Sequence, residues 1–160
     1  MIRLYHGSNI EVPVPDLAHS KPFKDFGKGF YLSANEQQAL ELAYQKVKQT
    51  QSGRAAVSVY SFDEAVMSSG ELNVKIFPDY CEEWAQFVLD NRNHNHPQPC
   101  HHYDIVYGPI ANDGVAYQLR RFQGGVISLA RLVEELKYAK GITFQYFFGT
   151  ERALNKLTAL

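Results

Sequence analysis

The sequence predicts an α+β fold in which short β-strands alternate with amphipathic helices. Short apolar runs bounded by glycine, proline or serine recur along the chain, and these are typical of strands. Between them lie segments whose apolar residues recur at helical spacing. The hydrophobic content is 45% over 160 residues, which is enough for one globular domain with a buried core. We therefore expect a single domain spanning residues 1–160, built from strands and interspersed helices.

The first predicted strand ends in a histidine that is followed at once by a glycine. His6 and Gly7 belong to the sequence Leu-Tyr-His-Gly-Ser at residues 4–8, and a second apolar strand with Tyr31 at its centre follows another glycine-rich turn. A glycine leaves its amide and carbonyl unshielded, so both can bind a flat ligand that carries an amide group. Two strands that end beside glycines, with a histidine and a tyrosine, predict a ligand pocket.

The segment after the first strand is predicted to be a loop and then a helix. Residues 9–25 carry three prolines and no sustained periodicity, so we expect a loop, and its position makes it a candidate cover for the pocket. The Ser-x-x-Glu pattern at residues 33–36 is typical of a capping box and predicts a helix that ends near residue 49.

The remainder of the chain alternates between predicted strands and predicted helices. The further strands are expected at residues 55–62, 71–77, 103–108, 115–122 and 142–148. A helix that begins at Asp79 and runs to Arg92 should pack through Trp84, which we assign to the core. Ser128 is expected to cap a helix that ends near residues 140–141, and Thr150 to cap a short final helix that includes Leu157.

A loop at residues 91–102 is unusually rich in possible metal ligands. These ligands are His94, His96, Cys100, His101 and His102. Imidazole and thiolate bind zinc well, but the loop lacks the paired Cys-x-x-Cys spacing and the two histidines one helical turn apart that zinc sites commonly show. We therefore expect a solvated loop without a metal. With Cys81 the chain has only two cysteines, which favours reduced thiols.

The net charge and hydropathy of the chain as a whole indicate no nucleic-acid or membrane partner, although a local basic patch stays open. The net charge is −1 and the isoelectric point is near 6.6, so the chain as a whole has no electrostatic attraction to nucleic acid or to an anionic membrane. Neither a signal-peptide pattern nor an apolar run approaching the roughly 18 residues of a membrane span is present in the sequence. We expect a cytoplasmic protein without a membrane partner.

Taken together, the motifs resemble those of a known family. The sequence at residues 4–8, combined with Gly-Lys-Gly-Phe-Tyr-Leu at 27–32, resembles the ADP-ribosyltransferase superfamily of the diphtheria-toxin and poly(ADP-ribose) polymerase type, and more closely the bacterial DUF3990 family. Residues 103–113 and 145–154 extend the resemblance to nearly the whole chain. It implies split antiparallel β-sheets with flanking helices around a cleft that binds NAD as co-substrate.

The same resemblance implies roles for individual residues. The implied catalytic residues are His6, Tyr31 and Gln145. His6 would hold a ribose hydroxyl or the adenosine side of NAD, and Tyr31 would stack on the nicotinamide. Gly7 would bind the carboxamide through its backbone, and the other implied NAD-binding residues are Ser8, Gly29 and Phe30.

Gln145 departs from the pattern of relatives of the His-Tyr-Glu type, which carry a glutamate on this late strand. An amide can accept a hydrogen bond from a ribose hydroxyl, but it cannot take up a proton or place a negative charge beside an oxocarbenium-like transition state. Two ways around this departure stay open: an acceptor that is already anionic, or a base supplied by Asp113 or Glu151.

The resemblance implies an NAD-dependent ADP-ribosyltransferase, a bacterial toxin of a toxin-antitoxin or interference system. Its acceptor would be an unknown protein or nucleic acid, or a free nucleotide, and a cognate antitoxin would be a partner. Two alternatives stay open. One is a catalytically silent module that binds NAD or ADP-ribose, which Gln145 favours. The other is an RNA 2′-phosphotransferase, which shares the fold but needs several cations on a phosphate, whereas few arginines lie near the motifs.

Overall fold

Two small β-sheets and five α-helices form the part of the chain that the computed structural model describes, residues 1–138 and 142–160. The strands are β1 (Ile2–Ser8), β2 (Phe30–Leu32), β3 (Ala56–Phe62), β4 (Val74–Ile76), β5 (Ile105–Pro109), β6 (Phe144–Phe148) and β7 (Leu157–Ala159). One sheet has the order β1-β3-β7 and the other the order β2-β6-β5-β4. The predicted α+β class is confirmed. The expectation of antiparallel sheets is wrong for β4 and β5, which pair in parallel.

The helices begin at polar caps, as the sequence predicts, although two caps lie elsewhere. The helices are α1 (Glu36–Thr50), α2 (Glu82–Arg92), α3 (Asp113–Gln123), α4 (Leu129–Lys137) and α5 (Glu151–Leu154), with a 3₁₀ helix at Glu64–Ser68. Ser128 and Thr150 cap α4 and α5 as predicted. Asn35 caps α1 in place of Ser33, because its side chain accepts the Gln38 amide at 3.1 Å. Cys81, and not Asp79, caps α2.

The segment at residues 115–122 is a helix, so the predicted strand there is wrong. Its apparent alternation hides helical spacing, because Val115, Leu119 and Phe122 follow one another at steps of four and three. Val115 and Leu119 are buried on one face of α3, whereas Tyr117 between them is exposed. The Asn112 side chain accepts the Val115 amide at 3.0 Å and caps the helix.

Smaller differences concern the ends of elements. β4 covers only Val74–Ile76 of the strand predicted at residues 71–77. Leu157, which was expected in the final helix, begins β7, a strand that the sequence analysis missed. The predicted end of α4 near residues 140–141 lies outside the described residues. Trp84 is fully buried, as predicted, and donates from Nε1 to the Pro109 carbonyl at 3.1 Å.

The four-stranded sheet separates two hydrophobic clusters. On β6, Phe147 packs into the cluster that lies against helices α2, α3 and α4, which includes Trp84 and Leu132. Tyr146 and Phe148 point to the opposite face, into the cluster with Leu4 of β1. Because successive side chains of a strand point to opposite faces, this alternation also assigns the faces of the neighbouring residues on β2 and β6.

The two sheets join at an isolated bridge between β1 and the residue that follows β2. The Tyr5 amide donates to the Ser33 carbonyl at 2.8 Å, and the Ser33 amide donates back to the Tyr5 carbonyl at 2.9 Å. Residues 6–8 of β1 form no ladder with β2, so the sheets separate next to His6. Within residues 1–138 and 142–160, no helix is both long and apolar enough to cross a membrane.

Candidate functional site

His6 lies where the two sheets separate, and its ring is fixed from two sides. Its Nδ1 is 2.7 Å from the Tyr31 carbonyl oxygen, and its ring stacks on Phe30 with centroids 4.1 Å apart. A carbonyl oxygen can only accept a hydrogen bond, so Nδ1 must carry the proton. In the neutral ring, Nε2 is then a hydrogen-bond acceptor.

The surroundings of His6 keep its ring neutral. Burial is the main effect that lowers the pKa of His6 to about 4; the nearby positive charges of Lys46 and Lys24 act in the same direction, and the bond to Tyr31 opposes them. Neither lysine forms an ion pair with another residue in the described part of the chain. At neutral pH the site therefore presents an uncharged imidazole beside two ammonium groups.

The Nε2 atom of His6 is accessible from solvent. The ring makes its hydrogen bond through Nδ1, and Nε2 has no partner among the residues described. Among the described residues that are not exposed, however, every buried side-chain nitrogen or oxygen has a hydrogen-bond partner. Since His6 is half-buried, Nε2 must reach the surface. It is therefore available to accept a hydrogen bond from the hydroxyl of a ligand.

The backbone of Gly7 points away from the three-stranded sheet. Tyr5 forms both of its backbone hydrogen bonds with Ser33, on the side of β1 that faces away from β3. Tyr5 and Val59 are therefore a non-hydrogen-bonded pair of the β1–β3 ladder. Backbone groups of an antiparallel strand alternate sides, so the N–H and C=O of Gly7 point to the same side as those of Tyr5. Neither group of Gly7 has a partner in the described residues. A donor and an acceptor thus stand side by side next to His6.

The structure supplies a packing reason for both predicted glycines. A Cβ on Gly7 would lie 1.8 Å from the backbone oxygen of Ala39, because α1 crosses directly over this residue. A Cβ on Gly29 would lie 2.2 Å from the ring of Phe147. Packing therefore requires both glycines, since α1 and Phe147 fill the space that a Cβ would take. The free backbone edge of Gly7 lies along the strand plane and is unaffected.

Tyr31 and Ser8 use their hydroxyls within the protein. The Tyr31 hydroxyl donates to the Gly27 carbonyl at 2.6 Å and accepts the Phe26 amide at 3.0 Å, so it holds the turn before β2. Burial raises the pKa of Tyr31 well above its usual value. The Ser8 side chain is buried, and its Oγ lies 3.4 Å from Asn9 Oδ1.

Gln145 contacts a carboxylate that the sequence analysis missed. Its Nε2 donates to Oδ2 of Asp25 at 3.3 Å, and the Ala111 amide donates to the same oxygen at 3.1 Å. Arg92 Nη1 lies 3.5 Å from Asp25 Oδ1. Burial raises the pKa of Asp25 against the opposing effects of these partners. Asp113 and Glu151, the carboxylates named from the sequence, are exposed at the first turns of α3 and α5.

The structure brings the predicted residues together only in part. Tyr31 and Phe147 are paired across β2 and β6, so Gln145, two residues before Phe147, faces the same side as the Tyr31 side chain. Phe30 faces the other side, where its ring stacks on His6. His6 therefore reaches Tyr31 through the backbone carbonyl, and the two side chains do not form a pair.

The histidine-rich loop contacts the rest of the protein through separate residues. His94 stacks on Phe23 with centroids 4.2 Å apart, and Cys100 donates from Sγ to the Asp90 carbonyl at 3.2 Å. His101 donates from Nε2 to the Phe26 carbonyl at 2.7 Å. Within the described residues, no three histidine, cysteine or acidic side chains form a group that could hold a metal. The absence of bound metal stays a prediction.

Two surface depressions lie near these elements, and neither contains His6 or Gln145. One has a volume of about 240 Å³ and lies between the turn around Gly27 and the histidine-rich loop, with Phe147 on its wall. The other has a volume of about 550 Å³ and lies at the start of α1 beside Val57. We base the candidate site on the free polar groups beside His6, because volume alone does not specify a ligand.

A match to a known protein family covers nearly the whole chain. The family described as "Protein of unknown function (DUF3990)" matches residues 2–159. No curated protein and no solved structure matches the chain. The family description states no activity, so the function has to be argued from the site.

Proposed function

The chain belongs to the DUF3990 family, and we propose that it is an NAD-dependent ADP-ribosyltransferase. One observation carries the proposal: the free N–H and C=O of Gly7 stand beside the accessible Nε2 of a neutral His6. A primary carboxamide offers one donor and one acceptor in a plane, which complements a backbone edge of this kind. A ribose hydroxyl is the donor that a neutral imidazole nitrogen accepts.

The charges around His6 support a ligand with a diphosphate. Lys24 and Lys46 both act on the His6 ring, and neither has an acidic partner within the described residues. Burial lowers the pKa of Lys46, and the charges of Lys24 and Lys21 lower it further, so these ammonium groups repel one another. An anion bound between them would relieve that repulsion. Carboxamide, ribose hydroxyl and diphosphate are the polar parts of NAD.

The reaction requires that the bond between the nicotinamide nitrogen and ribose C1′ breaks. Its electron pair leaves with the nicotinamide, which departs as a neutral molecule, while positive charge develops on the ribose. A nucleophile on the acceptor then donates an electron pair to C1′ and loses its proton to solvent or to a base. In this scheme the Gly7 backbone holds the leaving group and His6 holds a ribose hydroxyl. Their fixed positions reduce the reorganisation that the transition state requires.

NAD binding is the first test of the proposal. Titration calorimetry with the wild-type protein should detect binding, and His6→Ala should weaken it, since the hydroxyl acceptor is removed. His102→Ala is the matched control, because His102 is an exposed histidine of the same chain. An equal loss of affinity in both variants, or no binding by the wild type, would contradict the site.

The acceptor can be identified by its labelling. We propose that the protein is a bacterial toxin that a cognate antitoxin neutralises, as the resemblance implies. Its acceptor would be a macromolecule. Incubation with NAD labelled in its adenylate half, followed by nuclease or protease digestion, would show whether cell nucleic acid or protein carries the label. Growth arrest on expression of the wild type, and normal growth with His6→Ala, would support the toxin. Equal growth with both would count against it.

A silent NAD- or ADP-ribose-binding module is the second candidate, and Gln145 is the observation that favours it. The amide of Gln145 donates to Asp25 and can act neither as an acid nor as a base toward a substrate at neutral pH. Such a module would bind NAD with the same dependence on His6 but release no nicotinamide. Chromatographic measurement of free nicotinamide, with and without cell extract, separates the two candidates.

A further inference from the structure

The cavity of about 240 Å³ between the histidine-rich loop and the segment that leads into β2 has polar and aromatic walls. Its wall includes Phe23, Gly27, Lys28 and Asn91. His6 does not line it, so the cavity is not part of the site proposed above. Among the described residues of the wall there is no aspartate and no glutamate. A ligand in this cavity therefore meets no negatively charged side chain of the wall.

Asn91, near the end of α2, is a buried polar residue with a free oxygen. Only 7% of the residue is exposed. Its Nδ2 donates to the Phe87 carbonyl at 2.7 Å, and because a carbonyl only accepts, this bond fixes the direction of the amide. Oδ1 accepts no hydrogen bond from the described residues. Because every buried side-chain oxygen of the described, non-exposed residues has a partner, Oδ1 is accessible from the cavity.

Gly27 leaves the space beside this oxygen open. Its φ is +96°, and a Cβ here would lie 3.1 Å from Oδ1 of Asn91 and 3.6 Å from Nε2 of His101. The Gly27 carbonyl accepts the Tyr31 hydroxyl at 2.6 Å, which holds the turn in place. The wall of the cavity thus presents a hydrogen-bond acceptor in a fixed position, with room for a donor beside it.

Phe23 adds an aromatic surface to the cavity at an energetic cost. Its φ of 63° lies in the left-handed region, which is unfavourable for a bulky side chain. The ring stacks on His94 with centroids 4.2 Å apart, but His94 does not line the cavity. The part of the ring that lines the cavity is therefore available to a ligand. Strained residues of this kind are common at ligand sites, where the surrounding contacts hold them.

The segment beside the cavity carries positive charge that no acid neutralises. Lys21 and Lys28 are exposed, and neither forms an ion pair in the described part of the chain. Asp25, the one acid in residues 21–28, is half-buried and pairs with Arg92. The net charge of −1 therefore does not describe this local surface, which is basic.

We propose that this cavity binds one base of a single-stranded nucleic acid. The base stacks on Phe23 and donates from its polar edge to Oδ1 of Asn91, while backbone phosphates contact Lys28 and Lys21. Bases combine a flat face with N–H donors, and each phosphate is negatively charged, so a strand matches all three features of the site. The inference goes beyond the proposed function, because it requires neither NAD nor His6.

Fluorescence anisotropy with a labelled oligodeoxycytidine strand tests the proposal without NAD. An abasic strand of the same length keeps the phosphates and removes the bases. The wild type should bind the cytidine strand about tenfold more tightly than the abasic strand, which is the size of effect that stacking on an aromatic ring produces. The corresponding RNA strand shows which of the two nucleic acids binds more tightly. Equal binding of cytidine and abasic strands, or no binding, would overturn the proposal.

Asn91→Leu tests the acceptor in the cavity, since leucine has a similar size but no polar atom. It should weaken binding of the cytidine strand about fivefold or more, because one hydrogen bond to the base is lost. Binding of the abasic strand should stay at the wild-type level, which a general loss of structure would not allow. Equal weakening for both strands, or none for either, would overturn the role of Asn91.

Lys28→Gln tests the phosphate contact through its dependence on salt. This variant should weaken binding of both strands and reduce the slope of log affinity against log salt concentration by about 0.7, the value for one phosphate contact of a single strand. Lys137→Gln is the matched control, since Lys137 is an exposed lysine of α4 outside the cavity wall. It should keep the wild-type affinity and slope.

An unchanged slope for Lys28→Gln, or the same change of slope for Lys137→Gln, would overturn the contact with Lys28. These results are distinct from a failure of the proposed transferase. A protein that binds the cytidine strand but neither binds nor cleaves NAD would retain this site and lose the proposed function. A protein that cleaves NAD but binds no strand would show the reverse.

Discussion

Two histidines hold opposite ends of the same short segment, and they do so with the same kind of bond. His101 donates to the carbonyl of Phe26, and His6 donates to the carbonyl of Tyr31, each at 2.7 Å. Burial is the largest effect on both rings and lowers the pKa of each. The direction of the pKa shift and its main cause therefore do not separate the two residues.

The second ring nitrogen separates them. Nδ1 of His101 accepts the Tyr103 amide at 3.1 Å, and its ring packs against Phe87 and Phe147, so both nitrogens serve the fold. Nε2 of His6 has no partner in the described residues and reaches solvent. A histidine with one nitrogen fixed and the other free is oriented by the protein and available to a ligand. This difference is the reason for placing the site at His6.

The largest expected loss of folding stability is that of Gly7→Ala, in the strand that carries His6. Gly7→Ala would place a Cβ 1.8 Å from the Ala39 backbone oxygen, and α1 would have to move away from β1. We expect a loss of about 4 kcal/mol or more in the free energy of unfolding. Urea denaturation followed by circular dichroism would measure it.

Gly114→Ala provides the matched control for this substitution. Its Cβ would meet only Asn112 Oδ1, at 3.6 Å, in the first turn of α3. Alanine is favoured over glycine in a helix, so this variant should be as stable as the wild type or up to about 1 kcal/mol more stable. Equal stability of the two variants would contradict the close packing of α1 on Gly7.

His101→Ala should destabilise the fold without affecting NAD binding. The substitution leaves the Phe26 carbonyl and the Tyr103 amide without their side-chain partner. We expect a loss of about 3 kcal/mol in the free energy of unfolding, since each backbone group left without a partner costs roughly 1–3 kcal/mol. NAD affinity, measured by calorimetry well below the melting temperature, should stay within about twofold of the wild type. A strong loss of affinity would show that His101 is also part of the site.

His6→Ala should show the reverse behaviour. The free Nε2 supports no element of the fold, so the main effect should be on the ligand. Loss of one hydrogen bond to a ribose hydroxyl corresponds to about 1–2 kcal/mol, which raises the dissociation constant roughly fivefold to thirtyfold. Unfolding should become easier only by the lost bond to Tyr31 and the lost stacking on Phe30. If stability falls and affinity is unchanged, the comparison between the two histidines fails.

The sequence predicts the elements that have a strong local signal. β1 and β3 alternate in polarity, and Ser128 and Thr150 stand at helix starts, so these elements were predicted correctly. Over the first residues of α3, the apolar pattern fits both the strand period and the helix period. Only the burial of Val115 and Leu119 on one face shows that the segment is a helix. The parallel pairing of β4 with β5 is a tertiary feature that no local pattern contains.

The site shows the same limit. His6 and Gly7 could be named as candidates from the sequence because they lie near the end of a strand within a recognisable motif. Asp25 could not, because it lies in a loop without periodicity and meets Gln145 only through the fold. The free backbone edge of Gly7 depends on which side of β1 pairs with β3, which is also a property of the sheet and not of the motif.

The smallest expected effect is on the pH dependence of binding, and it tests the neutrality of His6. Its pKa is lowered to about 4, so the ring should stay neutral, and NAD affinity constant, from pH 8 down to about pH 5.5. A histidine with an ordinary pKa of about 6.5 would be mostly protonated at pH 5.5, and affinity would fall about tenfold. That outcome would contradict the argument for a neutral acceptor.

The lowered pKa of His6 should also make the stability of the ligand-free protein depend on pH. Because the folded-state pKa lies below the unfolded value, the unfolded chain binds the proton more readily between pH 6.5 and pH 4, and stability falls as the pH falls through this window. From pH 7 to pH 5 the contribution of His6 should decrease by about 2 kcal/mol. His101 adds a loss in the same direction, since its pKa is also lowered. Urea unfolding of the wild type and of His6→Ala at both pH values isolates the His6 contribution, and equal acid sensitivity of the two proteins would contradict it.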